Sequence, residues 1–311
     1  MKRLLLILLV LPQLLSAKVS VTNPKTEGLV NPLGIDAVNP RFSWQIMSDK
    51  KEVVQTAYQI VVSSDGREVW NSGKVTSDRQ LWIPYQGTAL ESNQHCTWQV
   101  KVFTNKGESD WSEPQQFSMG LLSESKWRGR WIGLESLQPG EQQGRHSKLA
   151  ARYLRKEFDL QDKPMKRATA FVSGLGVYEM YVNGRHPGHD ISVLQPVPSD
   201  YRKTIYYNTY DITEALKNQA ADHPSEQRKH NCIGIVLGNG RYFAMRQDKP
   251  YKNATFGLPK CRINIIIEYE DGTLVALRSC PFHLIHALAY PRQRTRPARL
   301  LRSEEHTSEL Q

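Results

Sequence analysis

The sequence predicts an all-β protein built as two β-sandwich domains. Three observations lead there. From Arg41 onward, short runs alternate apolar and polar residues with the period-two spacing of half-buried strands. Turn-forming residues interrupt these runs about every ten positions, the rhythm of a sandwich. Sustained helical spacing is absent, so no helical layer or barrel is expected to pack against the strands.

The chain has 311 residues, enough for two domains with separate cores. It opens MKRLLLILLVLPQLLSA, where Lys2 and Arg3 precede an apolar run from Leu4 to Leu15 and the small pair Ser16-Ala17. This is the pattern of a secretory signal peptide over residues 1–17, cleaved after Ala17. A membrane anchor needs roughly 18 apolar residues, whereas this run is shorter and interrupted by Pro12 and Gln13. No cysteine lies near the cleavage point to carry a lipid, and no later stretch is apolar enough to span a bilayer. The expectation is an exported protein, periplasmic or secreted, with no membrane span in the mature chain.

The formal charge is +10. Part of it belongs to Lys2, Arg3 and the arginine-rich stretch after Pro281, and the remainder is scattered rather than striped. That argues against a nucleic-acid partner. Cys96, Cys232, Cys261 and Cys280 are widely spaced with no C-x-x-C. An even count in an exported chain is compatible with two disulfides, though a domain this size does not require them. The spacing does not suit zinc, and no metal or other cofactor is expected.

The first domain, residues 18–120, contains RFSWQI (Arg41–Ile46), AYQIVVSS (Ala57–Ser64), REVWNSG (Arg67–Gly73), RQLWIPY (Arg79–Tyr85) and HCTWQVKVFT (His95–Thr104). Each fits a half-buried strand. Asp65-Gly66, Asn71-Ser72-Gly73 and Asn105-Lys106-Gly107 supply the turns. Trp44, Trp70, Trp82, Trp98 and Trp111 fall on or beside these strands and are expected to pack the core.

The second domain, residues 121–279, begins with the connector KWRGRWIG (Lys126–Gly133) and the loop LQPGEQQG (Leu137–Gly144). YLRKEFDL (Tyr153–Leu160) and KRATAFVSG (Lys166–Gly174) alternate as half-buried strands. VYEMYVNGRHPG centres on Asn183-Gly184, a strong hairpin signal because both positions tolerate positive φ. In DITEAL, Asp211 stands three residues before Glu214, as in a capping box opening one short helical turn. NCIGIVLG (Asn231–Gly238) suits a buried strand, and CRINIIIEYEDGTLVALR (Cys261–Arg278) a hairpin about Asp271-Gly272. The whole predicts a jelly-roll sandwich.

CTWQVKVFTNKGESDWSEPQQFSM (Cys96–Met119) resembles the last two strands of a fibronectin type III or Ig-like domain, with Trp98, Val100 and Val102 pointing inward. Trp98 stands where that family places its corner tyrosine, which keeps the packing role and loses the phenolic hydrogen bond. Trp44 corresponds to the core tryptophan of an early strand. Four further segments, in order, resemble the N-terminal part of bacterial α-L-rhamnosidases of the glycoside hydrolase family 78 type. They are WRGRWIG, YVNGRHPGHD, LQPVPSDYRKTIYYNTYDITEAL and IGIVLGNGRYFAMR. Arg241 departs from the tryptophan usual in the last of these.

The resemblance implies an enzyme that removes terminal α-L-rhamnose from glycosides or polysaccharides with inversion. Its acid and base carboxylates would lie on an (α/α)6 barrel following the β-domains. No such barrel is present in this sequence. Inversion needs two carboxyl groups about 6.5–9.5 Å apart, one protonated and one ionised. The expectation is therefore an accessory fragment with no catalytic residues, inactive alone, whose glycoside partner is met through the missing domain. Two other readings remain: a stand-alone carbohydrate-binding module, and an adhesive surface protein. The latter calls for repeated fibronectin-like units, and none is found.

Aromatic residues of such domains can stack on sugar rings. Tyr201, Tyr206, Tyr207, Tyr210, Arg241, Tyr242 and Phe243 are the candidates. Core or interface packing is the expectation for most of them, since aromatics bury large areas wherever they occur. Tyr201, Arg241 and Tyr242 are carried forward as carbohydrate-binding residues. GNGRYF (Gly238–Phe243) lacks the third glycine of a phosphate loop and suggests a tight bend against another backbone. His186 and His189 in HPGH lack a third metal ligand, and Asp200, Asp211, Glu214 and Asp248 are expected in solvent or at caps.

The last ten residues, RSEEHTSELQ, match a translated sequencing-library adapter. The stretch before them crowds prolines and arginines between Pro291 and Arg299 in a way that suits neither strand nor helix. Residues 280–311 are expected to be a non-native tail.

Overall fold

The computed structural model describes residues 19–143, 149–187, 194–217, 230–243, 255–278 and 283–285. The signal segment, Cys280, His189, Asp248 and the adapter-like end lie outside these.

The first sandwich has nine strands. They are β1 (Val19–Thr26), β2 (Arg41–Ser48), β3 (Gln55–Ser64), β4 (Arg67–Asn71), β5 (Val75–Thr76), β6 (Ile83–Pro84), β7 (His95–Thr104), β8 (Gly107–Glu108) and β9 (Gln115–Ser118). One sheet runs β1-β2-β6. The other runs β4-β3-β7-β8, with β5 beside β3 and β9 beside β7. On β7 the alternation is realised as expected: Trp98, Val100 and Val102 are buried against Phe42, Trp44, Ile60 and Val62. Each such side chain is worth about 1.5–3 kcal/mol of burial. Trp44 also satisfies its polar edge, donating Nε1–H to Gln55 Oε1 at 3.0 Å. The Gln55 amide reaches the carbonyls of Ser77 and Arg79. Trp98, standing in for a tyrosine, leaves its buried Nε1 without a partner.

Two expectations for this domain are corrected. RQLWIPY is not a strand over its length; only Ile83–Pro84 pair with β2. Trp82 has φ of 55°, incompatible with extended backbone, and its N–H donates to Ser43 Oγ at 3.0 Å instead of to a ladder. Trp82 and Trp111 are also not core residues. Both are about two-fifths exposed, and Trp82 lies under the Arg41 guanidinium at 4.4 Å.

Among the described residues the second sandwich has eight strands. They are β10 (Arg152–Asp159), β11 (Met165–Leu175), β12 (Val177–Val182), β13 (Tyr207–Asp211), β14 (His230–Gly238), β15 (Lys260–Tyr269), β16 (Leu274–Arg278) and β17 (His283–Ile285). Its antiparallel sheets, β12-β14-β10-β17 and β13-β11-β15-β16, form a jelly-roll sandwich. Between them lie Ala168, Ala170, Val172, Met180, Ile233, Ile235, Ile263 and Ile265. The sole α-helix among the described residues is α1 (Thr213–Lys217), and no described helix is long and apolar enough to cross a membrane. Asp211 caps it from one position further out than a capping box: its Oδ1 accepts from the Thr213 N–H and hydroxyl.

Asn183 and Gly184 take positive φ and bridge Val182 to Arg185, so the turn forms as expected. The returning chain meets β12 again at the antiparallel Tyr178–Gln195 bridge, and β12 pairs along its length with β14. KRATAFVSG is not half-buried. On β11, Thr169, Phe171 and Ser173 are as buried as the core-facing Ala168, Ala170 and Val172. On the second face of β11 the Phe171 ring meets Tyr207 and the Ser173 hydroxyl donates to the Tyr206 carbonyl, so the strand is buried on both sides. Cys96, Cys232 and Cys261 carry free thiols, and two of them are buried in different domains.

Candidate functional site

Two places gather chemistry. The first is an aromatic cluster around the GNGRYF bend. There the chain folds back on the β11–β12 turn so closely that a Cβ on Gly240 would lie 2.9 Å from the Gly176 carbonyl carbon. A Cβ on Gly176 would lie 2.4 Å from the Gly238 oxygen. The tight bend expected from the Gly-x-Gly pair is thus formed against another backbone. Asn239 C=O accepts from Tyr242 N–H, and Tyr242 C=O accepts from Phe256 N–H at 2.9 Å.

These bonds bring three rings together. Tyr201 meets Tyr242 edge-on at 5.1 Å and Phe256 at 5.6 Å. Tyr242 and Phe256 are stacked at 5.8 Å. Burial raises the Tyr201 phenol pKa, opposed by a Gly176 backbone hydrogen bond and the positive charge of Arg241. Tyr201, Arg241 and Tyr242 therefore form one neighbourhood, with Arg241 exposed and both tyrosines half-buried. Phe256 completes it and was not legible in the sequence, since a lone phenylalanine before Gly257 carries no motif.

The other aromatics have structural partners. Phe243 is fully buried. Tyr210 shares a hydroxyl contact with Tyr178 at 3.2 Å, Tyr207 lies in the domain seam, and Tyr206 is half exposed. His186 packs edge-on against Tyr181, and no group of three or more potential metal ligands occurs among the described residues.

The second place is the seam between the sandwiches. Asn264 of β15, almost fully buried, accepts from the N–H groups of Arg128 and Gly129 and donates to Lys126 C=O. Arg262 bonds the carbonyls of Gly129 and Trp127 and the Glu124 carboxylate, with its guanidinium over the Trp127 ring at 5.1 Å. The WRGRWIG connector is thereby pinned to the second sandwich. Across the seam, Asp65 of the first sandwich pairs with Lys166 at 2.8 Å and Arg167 at 3.5 Å, and within the second sandwich Glu268 holds the same two cations at 2.8 and 2.5 Å. A cleft of about 480 Å³ opens beside this cluster, with His95, Thr97, Asp211 and Glu214 among its lining residues.

Electrostatically, neither place resembles an acid/base pair. Among the described residues, the Asp and Glu side chains with shifted pKa values are all shifted downward. Arg41 lowers Glu27, Lys166 lowers Asp65, Arg202 lowers Asp200 and Lys163 lowers Asp271. Arg152 draws Glu141 down to about 2. A general acid for glycoside hydrolysis needs the opposite shift.

Residues 21–123 match the family described as the Rha78A-like N-terminal immunoglobulin domain, and residues 163–281 match the alpha-L-rhamnosidase N-terminal domain. An alpha-L-rhamnosidase of Formosa agariphila is 35% identical over 269 residues, which cover 78% of this chain and 27% of that protein. One from Alteromonas sp. is 31% identical over 258 residues, covering 79% and 26%. The structure of the alpha-L-rhamnosidase from Dictyoglumus thermophilum superposes with a TM-score of 0.68 at 34% identity, over 83% of this chain and 28% of that one. The chain thus spans about a quarter of the length of the curated relatives it matches. Through both sandwiches, this chain belongs to the α-L-rhamnosidase family, of which it carries the N-terminal domains.

Proposed function

We propose that this chain is the N-terminal accessory part of an exported α-L-rhamnosidase, a rigid two-sandwich platform that braces a catalytic domain it does not itself contain. The observation that carries the reading is the seam. A free tandem of sandwiches needs no buried asparagine holding the connector, nor ion pairs crossing between domains, yet both are present here, the latter where Lys166 and Arg167 of the second sandwich meet Asp65 of the first. Rigidity matters because inverting hydrolysis requires two carboxyl groups held at fixed separation across the sugar. The downward shifts of the carboxyl groups support placing the acid and base elsewhere. Tyr201, Arg241 and Tyr242 are assigned to carbohydrate contact, where tyrosine faces offer stacking area and Arg241 offers donors to hydroxyl groups.

The direct test is activity. The purified chain is expected to release no p-nitrophenol from p-nitrophenyl α-L-rhamnopyranoside. Turnover that tracks the chain through purification would refute the reading. A second test is the genomic sequence downstream of codon 279: a reading frame continuing into several hundred helical residues is expected, and a native stop codon there would refute it.

A further inference from the structure

The cleft between the sandwiches has a volume of about 480 Å³, inside the range of about 300–1,000 Å³ typical of small-molecule sites. Its walls belong to both domains, and their charges cancel: Asp65, Asp211 and Glu214 are matched by Lys166, Arg167 and Lys217. His95 adds no charge near neutral pH, because burial and then the Arg167 charge hold its pKa down to about 4. An anion entering the cleft meets three carboxylates, and a cation meets three cationic groups, so neither gains a net Coulomb attraction. A neutral ligand that donates and accepts at adjacent atoms can use both signs.

The lining offers the rest of what such a ligand needs. Ser63, Thr97 and Thr169 contribute hydroxyl groups, while Pro32, Leu33 and Phe117 contribute apolar surface for C–H faces. Thr213 and Lys166 engage one oxygen each of Asp211 and Asp65. A carboxylate has about four acceptor positions, so both keep acceptor capacity.

We propose that this cleft is a saccharide site in its own right, taking a neutral mono- or disaccharide whose vicinal hydroxyl groups are shared between β3 and β7 of the first sandwich and β11 and α1 of the second. The proposal stands on the geometry of the cleft and not on the rhamnosidase reading.

The test is titration of the full chain with L-rhamnose, D-galactose and D-glucose, followed by calorimetry and ligand-observed NMR, with inorganic phosphate as the charged comparison. At least one sugar is expected to bind saturably and more tightly than phosphate. Glu214→Gln, on the exposed side of α1, is expected to weaken binding about fivefold, the loss of roughly one hydrogen bond. Thr97→Trp fills the cleft and is expected to abolish the component of binding that Glu214→Gln weakens, with the melting transition retained. Absence of saturable binding by all three sugars would overturn the proposal. So would binding that Thr97→Trp and Glu214→Gln both leave unchanged, or preferential binding of phosphate.

Discussion

Tyr207, on β13 of the second sandwich, donates its phenol to the Asp36 carboxylate of the first. The same oxygen accepts the Leu121 N–H at 3.1 Å, and the Trp127 ring meets the Tyr207 ring edge-on at 5.3 Å. One side chain therefore touches the first domain, the connector and the outer face of β11 through Phe171. Burial and then the Asp36 carboxylate raise the Tyr207 pKa, so the phenol stays a donor across the working pH range. The close approach extends to backbone: a Cβ on Gly34 would lie 2.0 Å from Thr209 Oγ1, where φ is already +71°.

If Tyr207 couples the domains, Tyr207→Phe should uncouple them while keeping the ring packing. The substitution removes a charge-assisted hydrogen bond, worth about 1.5–3 kcal/mol, and leaves the Leu121 N–H without its acceptor. In calorimetry the parent is expected to unfold in one transition and the variant in two, with faster proteolysis at the connector. A variant that still melts as one unit would show that the ion pairs and Asn264 suffice.

His95 gives the seam a predictable acid response. Its pKa lies near 4 when folded and near 6.5 when exposed, because burial disfavours the charged ring. Between these values the unfolded chain binds more protons, so stability is full above pH 6.5 and falls as pH drops toward 4. The shift corresponds to about 3 kcal/mol at most, reduced by the partial exposure of the ring. Melting temperature measured across this window is expected to fall less steeply for His95→Gln than for the parent. Equal slopes would mean that His95 is not the titrating group.

Much of the fold could be read from alternation and turn residues, because each strand of a sandwich buries one face and carries its own signal. The failures are where a second surface intervenes. KRATAFVSG alternates in sequence, yet Thr169, Phe171 and Ser173 on its outer face are buried too, and contacts such as Tyr206 and Tyr207 that help cover them lie too far along the chain to leave a local signal. Trp82 looked like core because composition does not report φ. Tyr201, Arg241 and Tyr242 could be found as an aromatic-basic grouping, but Phe256, Asn264 and Arg262 act through long-range contacts that leave no local pattern.

Glu141 belongs to the same illegible class, and its role is structural. It lies in a loop that looked like a plain Gln/Gly linker, yet its carboxylate forks onto the Arg152 guanidinium at 2.5 and 2.7 Å. It also accepts from the N–H groups of Gln138 and Ala150. Both side chains are buried, at 4% and 7% exposure. Glu141→Gln should strand a buried guanidinium and destabilise the second sandwich by about 3–5 kcal/mol. Urea denaturation should show the loss at neutral pH. Because the pair holds the Glu141 pKa near 2, its contribution is present above about 4.5 and fades as pH falls toward 2. The parent and variant are therefore expected to converge in stability near pH 2, and a constant gap would contradict the ion-pair account.

The aromatic cluster can be divided into packing and recognition by two substitutions that affect it differently. Arg241 is exposed, so Arg241→Ala should leave stability within about 0.5 kcal/mol of the parent. Tyr242 contacts Tyr201 and stacks on Phe256, so Tyr242→Ala removes two ring pairs worth about 0.5–1.5 kcal/mol each. If the cluster meets carbohydrate, both variants should weaken binding of methyl α-L-rhamnopyranoside in calorimetry, although only Tyr242→Ala lowers the melting temperature. Tyr242→Phe separates the remaining possibility, since it keeps the rings and removes the hydroxyl. It should restore stability and retain whatever part of the binding comes from stacking. Should Arg241→Ala bind as the parent does while Tyr242→Ala only destabilises, the three rings are packing alone and the assignment of Tyr201, Arg241 and Tyr242 to carbohydrate fails.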